Sequence, residues 1–463
     1  MSTSSRQYLE ILRLAGPIAG LQLAQIALTS VDLMMMGLLS VQAVAAGGLA
    51  VLLYNQMRTM CVGMVTGIGN LIAGAVGNGE RRTGTGMFDI TAAREIADLL
   101  RGALLVATIG AVVGGMLLLI VGHFLPRFGQ EKSVVELAWP FMLSLMPGLL
   151  PMLWLNVLRQ FAVGLRRAGS LLKIAVLSIA INALLNALFI YGWLGIPKLG
   201  LTGIGVSTTI VQFWTFLIYL RTVRRDSEMG TLLALDAWNA EKRTVWRIVR
   251  QGIPIALTYG SEAALTSVAS LLMGTFGPVA LAASNVVNQL AYIAYQFNIG
   301  LSHGASILIS RTLAHKRPSE VGAIARRTLV ISFIAMSLIG LSYTAFPQIV
   351  LYPFLGSQQD NGVISQAEIL LWFAIAHQYL KGAQNISIGL LRGLGNTKGG
   401  LKSTFVGYWL IGIPSMLLFS YGLAWDGSGI WCGLCISFAA TSLLLLRRFF
   451  ADLTAAIPIL KTR

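Results

Sequence analysis

Asp32 stands alone as an acid within the apolar run Ile11 to Leu39, a stretch long enough to cross a bilayer. A carboxylate near the middle of such a span is costly, about 2.5–3.5 kcal/mol on insertion scales, so it marks an ion or substrate pathway by default. The alternative, structural pairing with a cation on a neighbouring helix, finds no basic residue near it along the span. A later segment carries Asn182 and Asn186, whose four-residue spacing stacks two amides on one helix face. Arg58 lies in mid-run between Asn55-Gln56 and Met60 and is expected to face a central cavity.

The elements that must position these groups follow from composition. The chain has 463 residues, a mean hydropathy of +0.74 and 11% charged residues, which places it in the membrane class. Apolar stretches of roughly 20 residues, each about the length of a spanning helix, recur twelve times. They run from Leu9 to Met36, Ala43 to Gly69, Gly102 to Leu125, Val134 to Val157, Leu171 to Tyr191, Gly200 to Leu220, Ile253 to Gly274, Val279 to Leu301, Thr328 to Phe346, Glu368 to Leu391, Thr404 to Tyr421 and Gly429 to Leu446.

The net charge of +16 does not point to nucleic acid, because the basic residues occupy alternate loops rather than one face. Arg81, Arg82, Arg94 and Arg101, then Arg166 and Arg167, then Arg221 to Arg250, alternate with loops that carry no Lys or Arg, such as Gly37 to Gln42 and Gly274 to Pro278. This is the positive-inside pattern for an inner-membrane protein of twelve spans with both termini in the cytoplasm. The first span, with no apparent cleavage site, is expected to serve as its own insertion signal. Cys61, Cys432 and Cys435 all fall in apolar segments and are read as packing residues. His123, His303, His315 and His377 lack metal-ligand spacing, and Gly393-Leu394-Gly395-Asn396-Thr397-Lys398 lacks the Gly-Lys-Ser/Thr of a phosphate-binding loop. ATP hydrolysis and enzyme chemistry are therefore not expected, nor is any cofactor beyond a coupling ion.

The chain repeats itself at half its length. Arg13, Pro17-Ile18-Ala19, Ala27-Leu28-Thr29-Ser30-Val31 and Met36-Gly37 match, without a gap, Arg250, Pro254-Ile255-Ala256, Ala264-Leu265-Thr266-Ser267-Val268 and Met273-Gly274. Two lobes follow, residues 1–222 and 251–463, each of six spans, joined by a basic linker over residues 223–250. Parallel repeats of this kind bind at the lobe interface and work by rocking one lobe against the other.

The Pro17 and Val31-Asp32 of the first span, the Asn182, Asn186 and Phe189-Ile190-Tyr191-Gly192 of the fifth, and Leu391-Arg392-Gly393-Leu394-Gly395-Asn396-Thr397-Lys398 together resemble the multidrug and toxic compound extrusion (MATE) family, in its NorM-like branch. The resemblance covers essentially the whole chain. It implies an all-α membrane protein of twelve transmembrane helices in two six-helix lobes, and a cation site in the N-terminal lobe formed by Asp32, Asn182, Asn186 and Thr208. Amide and hydroxyl groups can hold a carboxylate in either protonation state or complete an oxygen cage for sodium; they can also simply tie helices together. In the C-terminal lobe Glu262 stands where such proteins place an acid. Lys381 replaces an aspartate, and His377 replaces a tyrosine one turn earlier. A lysine cannot ligate sodium. Lys381 is expected to pair with Glu262, to meet an acidic part of the substrate, or to snorkel from the helix end.

The reading is a monomeric exporter of small organic molecules driven by an inward cation, with protons preferred over sodium because the surviving site is neutral amides around one carboxylate. Protonation of Asp32 would let the first span repack, bending at Pro17. The alternatives are a major facilitator-type transporter, of whose loop motif Gly77-Asn78-Gly79-Glu80-Arg81-Arg82-Thr83-Gly84 is a loose likeness, and a lipid-linked precursor flippase of the same superfamily. Substrate charge stays open, since Arg58 and Lys381 admit zwitterions and anions.

Overall fold

The computed structural model describes residues 3–128, 132–167, 169–195, 197–355 and 361–461. Among these residues the regular structure is entirely helical. Twelve long helical segments account for the twelve apolar stretches. They are α1 (Thr3–Leu39), α2 (Val41–Thr66, resuming as Ile68–Thr83), α3 (Ile90–Phe124), α4 (Lys132–Leu145, resuming as Leu149–Gly164), α5 (Ser170–Tyr191), α6 (Gly200–Arg225), α7 (Lys242–Gly274), α8 (Pro278–Ala314), α9 (Pro318–Ala345), α10 (Asn361–Gly393), α11 (Thr397–Gly422) and α12 (Asp426–Lys461).

Ten of the twelve are long and apolar enough to cross a membrane by length and composition. The other two, α8 and α10, have the length, at 37 and 33 residues, but carry the polar load of the second half: Asn288, Gln296 and Asn298 on one, His377, Gln378, Lys381, Gln384 and Asn385 on the other. Helices also run beyond the apolar stretches: α3 begins at Ile90, capped by Asp89, whose carboxylate accepts from the Ala92 N–H at 3.0 Å. Likewise, α7 begins at Lys242, so the last turns of the basic stretch 223–250 are helical.

Chain contacts divide the molecule into two compact units, Gly20–Gly260 and Met1–Ala19 with Ser261–Arg463. Helix α1 is therefore shared between units at Ala19/Gly20 and α7 at Gly260/Ser261, close to corresponding places in the repeat. The first part of α1 packs on α8 in one unit, where a Cβ on Gly300 would lie 2.8 Å from the Ala15 carbonyl oxygen. In the other, the first part of α7 packs on α2, and a Cβ on Gly63 would lie 2.6 Å from Ala256 Cα. These glycines let backbones meet, as small residues do between membrane helices.

Each unit has its own core. Phe141, Phe161 and Tyr219 are fully buried in Gly20–Gly260, and Trp431, Phe438 and Tyr408 in the other unit. Large apolar side chains such as Leu33, Met34, Val112, Met116, Phe333, Leu338 and Leu443 point outward instead, the surface a lipid solvent calls for. Pro17 and Pro254 lie inside continuous helices, each removing one backbone donor from its ladder. Helix α11 widens into π-helical turns at Val406–Gly412 and Leu418–Gly422 on either side of Ile413–Leu417, which holds Pro414.

Candidate functional site

In the unit Gly20–Gly260, three helices converge on Asp32. Helices α5 and α6 form a tight antiparallel pair: α5 ends on Gly192 in the left-handed region (φ 73°), Leu199 N–H donates to the Phe189 carbonyl at 2.9 Å, and a Cβ on Gly203 would sit 2.8 Å from Phe189 Cβ. That approach sets Thr208 of α6 beside the amide stack of α5. Asn182 Nδ2 donates to Asp32 Oδ1 at 2.6 Å and Asn186 Nδ2 to the same oxygen at 2.8 Å. Thr208 Oγ1 donates to Oδ2 at 3.0 Å. Both asparagines are completely buried. Three neutral donors thus hold the carboxylate, and among the described residues no cation is paired with it. Each asparagine, having turned its N–H₂ to Asp32, leaves its carbonyl oxygen buried with no donor. The cluster therefore contains two buried acceptors that a proton, a cation or a donor group could satisfy.

The second unit brings together the residues of its own half. Lys381 Nζ of α10 lies 3.5 Å from Glu262 Oε1 of α7, with both side chains 10% exposed. The ammonium also sits 4.3 Å from the Tyr295 ring centroid and 5.2 Å from that of Phe438. His377, one turn before Lys381, meets Trp431 and Phe438 edge-on at 5.5 and 5.0 Å, and its Nδ1 has no hydrogen-bond partner. Helix α10 is held against α8 by Gly382, Gly389 and Gly393, at each of which a Cβ would come within 3 Å of α8 atoms. Arg58, in α2 of the first unit, has its Nε buried without a partner.

Sequence reasoning missed the buried guanidinium of Arg159. The apolar run of the fourth span fades at Val157, but α4 continues to Gly164, which carries Arg159 inside. Its Nη2 donates to Asn156 Oδ1 at 2.6 Å and its Nη1 to Gln22 Oε1 at 3.2 Å. Beside it lies a cavity of about 50 Å³ lined also by Gln25, Ser178, Gln212 and Thr215. Among the described residues no cluster of three or more His, Cys, Asp or Glu could hold a metal, and the three cysteines are free thiols.

Long apolar helices in two repeated halves, each enclosing charged and amide side chains, are the architecture of a membrane transporter. The MatE family model matches residues 17–188 and 254–418. Similar proteins include the probable multidrug resistance protein NorM of Pseudomonas aeruginosa, 33% identical over 444 residues covering 95% of this chain and 88% of that protein. Its namesake in Rhizobium meliloti is 30% identical over 446 residues, covering 95% and 92%. The fold matches the eukaryotic MATE transporter AtDTX14 with a TM-score of 0.85 at 17% identity, covering 99% of this chain and all of that one. A multidrug resistance MATE family transporter in its outward-facing conformation matches with the same score, covering 99% and 97%. The chain belongs to the MatE family, whose members are transporters and not enzymes. The major facilitator alternative is thereby excluded.

Proposed function

We propose that this protein is a multidrug exporter of the bacterial inner membrane that exchanges small organic molecules for protons, with Asp32 as the group that carries the proton. The names of the NorM relatives support the efflux reading, and the alternation of basic loops supports cytoplasmic termini. The observation that carries the coupling assignment is the Asp32 cluster: a carboxylate in an apolar span, faced by three neutral donors, with two amide oxygens left without donors.

In this reading the ionised carboxylate accepts from Asn182, Asn186 and Thr208. Protonation removes the buried charge and turns Asp32 from an acceptor into a donor, for which the unpaired Asn182 and Asn186 carbonyls are ready partners once their amides rotate. The bond pattern thus has two arrangements, and α1 can repack between them, with Pro17 as the place where its ladder is already interrupted. Two features favour protons over sodium: the amide nitrogens, not oxygens, face the carboxylate, and the buried acid of the other unit, Glu262, is paired with Lys381. No cofactor is needed, and the chain is read as working as a monomer among membrane lipids.

The test is efflux in cells stripped of their own pumps. The wild-type chain should lower dye accumulation and raise drug resistance. Asp32→Asn should return both to the level of empty cells while matching the wild type in abundance and melting temperature. Normal export by Asp32→Asn removes the coupling assignment.

A further inference from the structure

Helix α7 begins with a stripe left open to its surroundings. Arg243, Trp246, Arg250, Ile253 and Leu257 follow one another at steps of three and four residues, which places them within an arc of about 80° on one helix face. All are exposed, Trp246 to 66%, Ile253 to 44% and Leu257 to 43%. On the opposite face Ile248 and Ile255 are buried, and Gly252 between them lies against the Met64 backbone of α2. The inward face is thus committed to packing. The outward stripe changes from charged and aromatic to aliphatic where the seventh apolar stretch begins at Ile253.

The two arginines of the stripe differ from others in the same unit. Arg82 pairs with Asp89, Arg101 with Asp236, and Arg167 with Asp226 and Glu228. Arg247, next to Trp246, turns off the stripe to Glu95 at 2.9 Å. Among the described residues no acid pairs with Arg243 or Arg250. The internal repeat carries the same pair: in the register that matches Arg13 to Arg250, Arg6 falls on Arg243, so each half opens with two arginines seven residues apart. The second half adds an indole between them, Trp246 standing where the first half has Leu9.

Guanidiniums, an indole and an aliphatic strip in this order match the layers of a phospholipid. Guanidinium forks suit phosphate oxygens, indoles settle at headgroup level, and branched aliphatic side chains suit the acyl region. Arg243 and Arg250 stand about 10 Å apart along the axis, a span that their long stems can close on one headgroup. We propose that this stripe is a binding site for an anionic phospholipid, a phosphatidylglycerol, in the leaflet on the side of the basic loops. Arg243 and Arg250 hold its phosphate, Trp246 lies against its glycerol backbone, and an acyl chain runs along Ile253 and Leu257. A phosphatidylcholine offers the same phosphate but brings its own ammonium, which competes for it; the two unpaired arginines therefore select the anionic lipid. The site stands independently of the efflux reading.

The test places the full chain in phosphatidylcholine vesicles with a growing fraction of phosphatidylglycerol brominated on its acyl chains, which quenches neighbouring indoles. The titration is repeated with brominated phosphatidylcholine. The chain has ten tryptophans, so the signal of Trp246 is taken as the difference between each protein and its Trp246→Phe counterpart. In the wild type, Trp246 should be half-quenched at a fraction of the brominated anionic lipid at least about fivefold below that of the brominated zwitterionic one, as even one basic residue near an anionic headgroup implies. Replacing both arginines, Arg243→Gln with Arg250→Gln, should remove the preference, and exposed positions tolerate such changes without loss of the fold. Arg81→Gln, which removes an exposed arginine from α2 where the preceding turns are mostly buried, should leave the preference unchanged. Equal quenching by the two lipids in the wild type, a preference that survives loss of both arginines, or one that falls as far with Arg81→Gln overturns the site. Relief of quenching by glycerol phosphate in solution also overturns it, because the stripe would then hold a free anion and not a lipid.

Discussion

Glu262 and Lys381 provide a double-substitution cycle whose outcome follows from the surroundings of each partner. Both side chains are 10% exposed and their charged atoms are 3.5 Å apart, so each neutralises the other in a poorly solvated place. Removing one partner of a buried pair leaves an uncompensated charge and costs about 3–5 kcal/mol, whereas replacing both can be close to neutral. The two single substitutions should not be equal. Glu262→Gln leaves the ammonium above the Tyr295 ring at 4.3 Å and near that of Phe438 at 5.2 Å. Cation–π contacts of this kind are worth about 0.5–2 kcal/mol, so the cost should fall to roughly 2–3 kcal/mol. Lys381→Met leaves Glu262 with no cation and should cost the full amount. The double variant should recover at least half of the summed loss. Unfolding in detergent, followed by tryptophan fluorescence, measures the four corners of the cycle. Strictly additive effects would show that the two charges do not interact, and Lys381 would then be better regarded as a substrate contact.

Other consequences are as direct. Asn182→Leu, which removes a 2.6 Å donor to Asp32, should impair efflux; normal efflux by Asn182→Leu in the dye assay would count against the cluster. Gly63→Ala drives a methyl to within 2.6 Å of Ala256 Cα, a backbone atom that cannot swing aside. Overpacking of this kind should destabilise the chain by about 1–3 kcal/mol, and an unchanged melting temperature would refute that packing. The Arg82 guanidinium and the Ala92 N–H hold Asp89 down at about 2 from its ordinary 3.8. A depressed carboxylate stabilises fully above the unfolded value and loses its effect as pH falls from there through the folded one. Between pH 5 and 8, stability should therefore be insensitive to Asp89→Asn in slope though not in level; a pH-dependent difference between wild type and variant in that window would contradict this.

Asp32 and the Asn182/Asn186 pair were open to sequence reading because a single carboxylate in an apolar span is conspicuous and a four-residue amide spacing stacks on one helix face, whereas their meeting with Thr208 was expected only from the family resemblance. The helices that hold them were equally open, since hydropathy and alternating basic loops are local signals. Arg159 was not, because the hydropathy that marks a span fades at Val157 while the helix, held by tertiary packing, runs on to Gly164. The aromatic faces around Lys381 come from Tyr295 on α8, brought in by the glycine-lined contact of α8 with α10, and from Phe438 on α12, both distant in sequence. The π-helical turns of α11 are legible only in part: Pro414 announces an irregularity, but the turns lie on either side of its segment, where α12 passes so close that a Cβ on Gly433 would lie 2.5 Å from Met416 Cα.

The central claim is that Asp32 couples export to a proton, and reconstituted vesicles test it most directly. With the chain in proteoliposomes free of sodium, an imposed pH gradient should drive accumulation of an organic dye, and Asp32→Asn should abolish it while leaving the chain folded. Accumulation that requires a sodium gradient, or that persists in Asp32→Asn, would contradict the account.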